Sequence, residues 1–200
     1  MIPEEANYQR TMKRDVEPYL RSYEKDGYIE SYDSTAIYYR TYRIPQAKAA
    51  IVISHGFCEF AEKYKEVIYY FLKNGYSVYV PEHRGHGYSD RIVVDGEKVH
   101  IEDYEQYVQD LHCFVKNVVE LTEKRKILFC HSMGGAIGVR YLEEFPLTFD
   151  AVQCDVEQLF LLFVEVYDCR LRLRVAEVEQ DVVPLVPAYE VARPKVHDER

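Results

Sequence analysis

The segment Phe129-Cys130-His131-Ser132-Met133-Gly134-Gly135 holds the residue types that nucleophilic catalysis needs. It follows a short apolar run at 127–130 and opens a helical pattern at 133–144, so Ser132 falls where a buried strand passes straight into a helix. A serine on so tight a turn is lifted above the strand ends with its oxygen exposed, and the glycines after it let the helix lie close to a neighbouring strand. The usual pattern is G-x-S-x-G, and Cys130 stands at its first small-residue position. Cysteine is small enough to be tolerated there, with slight crowding. The plainer reading of the same residues is a serine that merely caps a helix.

A second segment strengthens the chemical reading. His55-Gly56-Phe57 closes the run Ala-Ala-Ile-Val-Ile-Ser at 49–54. A backbone N–H at the C-terminal end of such a strand can face a nucleophile and help to bind a developing oxyanion. The two donors would be the N–H groups of Phe57 and Met133, which leaves both side chains free to vary. A purely structural turn is the alternative. His83 and His86, in Pro81-Glu82-His83-Arg84-Gly85-His86-Gly87-Tyr88-Ser89-Asp90, have a spacing that could suit a metal. No third ligand is evident, and the glycines indicate a tight loop, so turn-forming histidines and no metal are expected. Cys58 and Cys113 read as small packing residues.

These groups need a scaffold, and the rest of the chain reads as one. Residues 28–43, rich in tyrosine and threonine with Tyr32-Asp33-Ser34 between two runs, predict an opening hairpin. The 49–54 run has the continuous apolar pattern of a parallel strand covered on both faces. Tyr64, Val67, Ile68, Phe71 and Leu72 recur at helical spacing, and Asn74-Gly75 supplies a left-handed stop. Residues 77–80 are the next strand, and Tyr104, Tyr107, Val108, Leu111, Val115 and Val118 mark a long amphipathic helix that Asp103 and Gln106 could open as a capping box. The helix after Ser132 should stop before Pro146. Alternating strands and helices predict a mostly parallel, doubly wound α/β sheet.

Composition bounds the partners. A formal net charge of −9, with no basic cluster on a helix, argues against nucleic acid. The longest apolar runs are far shorter than the roughly 20 residues a membrane span needs, which leaves room for no more than peripheral membrane contact. Met1 to Leu20 lacks the apolar core of a secretory signal, and five cysteines without a C-x-x-C pair suit reduced thiols, so a cytoplasmic protein is expected.

The strings HGFCEFAEKY (55–64), PEHRGHGYSD (81–90) and HSMGGA (131–136), at consistent intervals, resemble the monoacylglycerol lipase and lysophospholipase branch of the α/β-hydrolases, often labelled serine aminopeptidase S33. The likeness covers residues 28–150. It implies an α/β-hydrolase fold and a carboxylic-ester hydrolase in which Ser132 attacks an acyl ester of a monoacylglycerol or lysophospholipid. It further implies Phe57 and Met133 as the oxyanion hole, a small lipid ester as partner, and no metal or organic cofactor.

The organisation that follows is an N-terminal segment at 1–27, a hydrolase core at 28–150 and a divergent tail at 151–200. Beyond Pro146 there is no glycine, serine, asparagine or isoleucine, and lysine occurs only as Lys195. The triad of this fold runs serine, acid, histidine, with the last two on loops after later strands. Each βα unit takes about 30 residues, so too little chain lies between Ser132 and Arg200 for all later units. Asp155, Asp168 and Asp181 are acids by type and His197 a base by type, but none sits in a recognisable loop after a strand, and the acid and base stay unassigned. A sheet incomplete at its C-terminal end is therefore expected, either from a truncated, frameshifted or rearranged coding sequence or from a genuine alternative ending. The alternative function is a catalytically silent remnant that binds an acyl ligand or a partner protein.

Overall fold

The structure, a computed structural model, describes residues 7–96 and 98–155, the side chain of Asp155 excepted. The chain opens with helical turns, α1 (Tyr8–Thr11) running through a wider π-type turn at Met12–Val16 into α2 (Glu17–Arg21). The polar sequence there gave no sign of it. The helix forms because Val16 and Leu20, four residues apart, bury themselves against the sheet. The expected hairpin follows as β1 (Glu24–Glu30) and β2 (Ala36–Tyr42), antiparallel, with Ser34 in the left-handed region at φ 65° and the Asp33 carboxylate accepting the Thr35 N–H.

The central strands are β3 (Ala50–Ser54) and β4 (Ser77–Pro81), every residue of which is buried. Between them α3 (Lys65–Lys73) ends as predicted, with Gly75 at φ 88°. α4 (Glu105–Phe114) extends through a π-type turn at Val115–Val119. Its start shows half of the expected capping box: the Gln106 side chain accepts the Asp103 N–H at 3.4 Å, while the Asp103 carboxylate accepts the Glu105 N–H at 2.9 Å and not that of Gln106. β5 (Lys126–His131) leads into α5 (Met133–Glu144), and the sheet runs on past Asp150 into β6 (Ala151–Asp155).

The six strands lie in the order β1-β2-β4-β3-β5-β6. β2 is antiparallel to both of its neighbours, and β4, β3, β5 and β6 are mutually parallel. The continuous apolar run of β3 is explained by what covers it. Ala50 and Val52 face a layer built from α4 and α5, including Val108, Leu111, Phe114, Ile137 and Tyr141. Ile51 and Ile53 face the opposite layer, with Val16 and Leu20 from the N-terminal helical turns and Ile68, Phe71 and Leu72 from α3. Alternate side chains of a strand go to opposite faces, so a strand covered twice must be apolar at every position.

A charge is buried to hold the loop after β4. Arg84, 2% exposed, donates two hydrogen bonds of 2.6 Å to the carboxylate of Asp110 on α4 and one of 2.8 Å to Asp33 in the hairpin turn. Ser31 also donates to Asp110. Burial pushes the Asp33 carboxyl up, but hydrogen bonds from Arg84 and Thr35 outweigh it and bring it down to about 2. Removing one partner of a buried pair strands the other charge, at a cost of about 3–5 kcal/mol. Asp110→Ala is therefore expected to lower the unfolding free energy by about that amount in urea titrations. Asp33→Ala, at the more exposed end of the network, should cost markedly less; equal losses would show that Arg84 does not depend on Asp110.

Candidate active site

β3 and β5 are adjacent and parallel, and Ser54 is the register partner of Cys130. The loops that leave these strands therefore start level with one another. One begins His55-Gly56-Phe57 and the other is the turn His131-Ser132. Ser132 sits at the N-terminal boundary of α5 with φ 50° and ψ −120°, outside the conformations a non-glycine residue ordinarily adopts, and its side chain makes no capping hydrogen bond. It is exposed, although flanked by buried structure. A helix-capping role is thereby removed. A strained backbone persists only where its surroundings over-determine it, and such residues cluster at functional sites.

The surroundings that impose this turn are two contacts. A Cβ on Gly134 would coincide with the carbonyl of Ser54, so α5 can approach β3 this closely only because residue 134 is glycine. A Cβ on Gly56 would lie 3.1 Å from the His131 ring and 2.8 Å from the Glu59 carboxylate, so the first loop also packs against the turn, through side chains. Met133, as the first residue of α5, has an N–H with no intrahelical acceptor. Phe57, in the loop after β3, is 57% exposed, with its ring edge-on to His86 at 5.5 Å.

Cys130 is not the crowded position that the motif suggested. It is fully buried among Leu128, Ile137 and Tyr141, and its sulfur lies 2.5 Å from the point a Gly138 Cβ would occupy. The missing side chain at 138 accommodates the extra one at 130. Cys58 corrects the packing expectation in the other direction: it is exposed, at φ 55°, on the loop between β3 and α3, while Cys113 is half-buried.

Glu59, which the sequence reading passed over, is the clamp of the first loop. Its carboxylate accepts the Gly56 N–H at 2.8 Å and the Tyr64 hydroxyl at 2.6 Å, and its other oxygen lies 3.9 Å from Nε2 of His131. Partial burial pushes this carboxyl up, and the bonds from Tyr64 and Gly56 more than reverse that, leaving it below its ordinary range. The only signal in the sequence was an acid three residues after a glycine in a turn.

Beneath the loop lies a buried cluster of histidines. His55, His83 and His86 are buried, with the rings of His55 and His83 4.2 Å apart. Nε2 of His55 accepts the His83 N–H, so Nδ1 carries the proton and donates to the Gly56 carbonyl at 2.8 Å. The Ser54 hydroxyl donates to the Gly134 carbonyl, which leaves its oxygen to accept from Nε2 of His83 at 3.3 Å. The expected tight loop is present, with Gly85 at φ 78° and Gly87 at φ 49°, and a Cβ on Gly87 would occupy the Glu82 carboxylate. That carboxylate, fully buried, accepts the N–H groups of Ala61 and Tyr88 and so ties the loop after β3 to the loop after β4. Burial holds His55 down at about 4 and His83 well below its ordinary value.

Of the sequence-predicted residues, Phe57 lies in the loop after β3 and Ser132 and Met133 at the turn after β5, the neighbouring strand. Asp155 ends β6 as the register partner of His131. Its side chain lies outside the described residues, as do Asp168, Asp181 and His197.

A mostly parallel sheet with helices on both faces and a strained serine between β5 and α5 defines an α/β-hydrolase fold. Solved structures agree: a highly thermostable carboxyl esterase from Bacillus coagulans in complex with glycerol superposes with a TM-score of 0.57 at 21% identity, over 66% of this chain and 43% of that one. The family model described as "Serine aminopeptidase, S33" matches residues 45–154, and the chain belongs to that family. It is 32% identical over 121 residues to lysophospholipase L2 of Escherichia coli strain K12, covering 60% of this chain and 36% of the relative. It is also 32% identical over 106 residues to a monoacylglycerol lipase of Mycolicibacterium smegmatis, covering 52% and 36%. The chain thus spans little more than a third of the length of these curated relatives.

Two outcomes follow from this geometry. Glu59→Ala leaves the Gly56 N–H and the Tyr64 hydroxyl without an acceptor, a local loss of about 1–3 kcal/mol. Amide exchange at Gly56 should accelerate by about tenfold or more, with β4 protection unchanged; exchange at wild-type rates would refute the clamp. The histidines set a pH dependence. Their folded pKa values lie below the unfolded value of about 6.5, so the unfolded chain binds more protons between the two. This contribution to stability is present above about pH 6.5 and is lost as pH falls toward 4, the folded value of His55. Urea midpoints should therefore fall through that window, and His55→Gln should flatten the fall.

Proposed function

We propose that this protein is a serine hydrolase of the carboxylic-ester type, acting on the acyl ester of a monoacylglycerol or a lysophospholipid. The observation that carries the reading is the exposed, uncapped Ser132 at φ 50°, level with the loop that bears Phe57. In this reading the turn is a nucleophile elbow. Ser132 Oγ attacks the ester carbonyl, and the N–H groups of Phe57 and Met133 bind the negative charge that develops on its oxygen. Relatives named for lysophospholipid and monoacylglycerol hydrolysis supply the substrate class. A small lipid ester as ligand, no cofactor and a cytoplasmic setting go with it.

The proton of Ser132 needs a base, and none of the described histidines is assigned that part: His55, His83 and His86 support the loop from below. The silent-remnant alternative rests on this one point. A serine without a base is a weak nucleophile near neutral pH.

Labelling by a fluorophosphonate probe separates the two readings. General-base assistance contributes about 10² to 10⁴ in rate. Soluble, monomeric protein is expected to label at Ser132, and Ser132→Ala not at all, at a rate lower by about that factor than a complete family member. No labelling of folded protein would reject the nucleophile assignment. Labelling as fast as the complete relative, abolished by His197→Ala, would show that residue 197 supplies the base and would dispose of the silent remnant.

A further inference from the structure

Two thiols meet beneath the turn that carries Ser132. Cys130 on β5 and Cys154 on β6 are register partners in parallel strands. Both belong to the apolar layer under α4 and α5, so both side chains leave the sheet from the same face. Neighbouring strands run about 4.7–4.9 Å apart, which puts paired residues inside the Cα separation of about 4.4–6.8 Å that a disulfide spans. Among the described residues, neither Cys58, in the loop after β3, nor Cys113, on α4, has such a partner.

We propose that Cys130 and Cys154 are a modification site: a thiol pair that closes to a reversible disulfide when the protein meets a peroxide. The roles of the two sulfurs differ. Cys130 is fully buried, whereas Cys154, at the end of β6, is only half-buried and so is the more accessible of the two. The neighbouring Cys130 thiol, opposed by burial, holds the Cys154 thiol below its ordinary value, and the Cys154 thiol together with burial raises Cys130. A low, more accessible thiol beside a resolving one is the arrangement of redox-sensitive cysteines.

The Cys154 thiolate attacks one peroxide oxygen, the O–O bond breaks, and a sulfenic acid and hydroxide result. The Cys130 sulfur then displaces the sulfenic oxygen, the S–S bond forms, and the Cys130 proton leaves with that oxygen as water. With the proton that Cys154 gave up, two thiols are oxidised and one peroxide is reduced to two waters. The site does not depend on the ester-hydrolase reading. Its place gives it a consequence for the turn, because the Cys130 sulfur that would bond to Cys154 is also the atom that fills the gap at Gly138.

The test uses the whole chain, reduced, freed of reductant and exposed to a small molar excess of hydrogen peroxide. It is then alkylated in denaturant and cut with trypsin and an endoproteinase specific for aspartate, which separates Cys154 from Cys169. The expected product is a linked pair of peptides holding Cys130 and Cys154, lighter by two hydrogens than the free peptides and lost on dithiothreitol treatment. Cys154→Ser should abolish it, while a Cys58→Ser, Cys113→Ser double variant should form it undiminished. Full alkylation of both cysteines after peroxide, oxidation of Cys154 to sulfinic acid with no link, or a link from Cys130 to any other cysteine would each overturn the proposal.

Discussion

The structure around Ser132 depends on one close approach, that of α5 to the end of β3. Gly134 lies where any side chain would enter the carbonyl of Ser54. Because β3 and β5 are in register, Ser54 opposite Cys130, this contact fixes the height at which the chain must leave β5 and turn into the helix. Only a few backbone conformations satisfy both ends of so short a connection, and Ser132 takes the strained one at φ 50°. The strain is sustained by packing at both of its ends. β5 is held between β3 and β6, and Ile137 and Tyr141 anchor α5 in the apolar layer with Val108 and Leu111 of α4.

The loop facing the serine is fixed by a different kind of force. Nothing apolar could hold a turn of such polarity at the end of a sheet, where backbone groups leave the strand ladder and must find new partners. The protein supplies those partners from side chains: Glu59 for Gly56, Glu82 for Ala61 and Tyr88, His55 for His83. Each is an anion or a ring nitrogen accepting a backbone N–H, and each carries a desolvation cost that the hydrogen bonds offset. Arg84 extends the same logic outward, tying the loop after β4 to α4 and to the hairpin turn. The result is a polar scaffold several residues thick beneath an exposed edge.

This division explains what the sequence could disclose. Strands β3, β4 and β5, helices α3 to α5, the half-formed capping box at Asp103 and the stop at Gly75 are all written in local pattern, because periodicity and turn chemistry act within one element. The serine turn is legible for the same reason: strand, serine and glycines are contiguous. The polar scaffold is not, since Arg84 meets Asp110 across 26 positions and Asp33 across 51. No spacing rule marks such pairs. The N-terminal helical turns escaped notice because only Val16 and Leu20 of that segment are buried, too few to create a visible stripe. β6 escaped because Ala151 to Asp155 alternates weakly and earns its place only by pairing with β5.

Cys130 shows how far a motif can mislead when read one position at a time. Against the expected small residue it looks like a defect at the base of the turn. In the folded chain the volume is conserved across the helix: the cysteine adds what Gly138 omits, and the layer of Leu128, Ile137 and Tyr141 closes around it. Core positions tolerate exchange when total volume and polarity are kept, and the two sites, close in space though eight positions apart, satisfy that condition together. A glycine at 130 would leave a cavity beneath α5 unless residue 138 also changed, so the two positions are coupled. The pattern around a serine at such a turn is thus a constraint on the space between strand and helix, which different pairs of residues can fill, and only secondarily a constraint on which residue stands at each site.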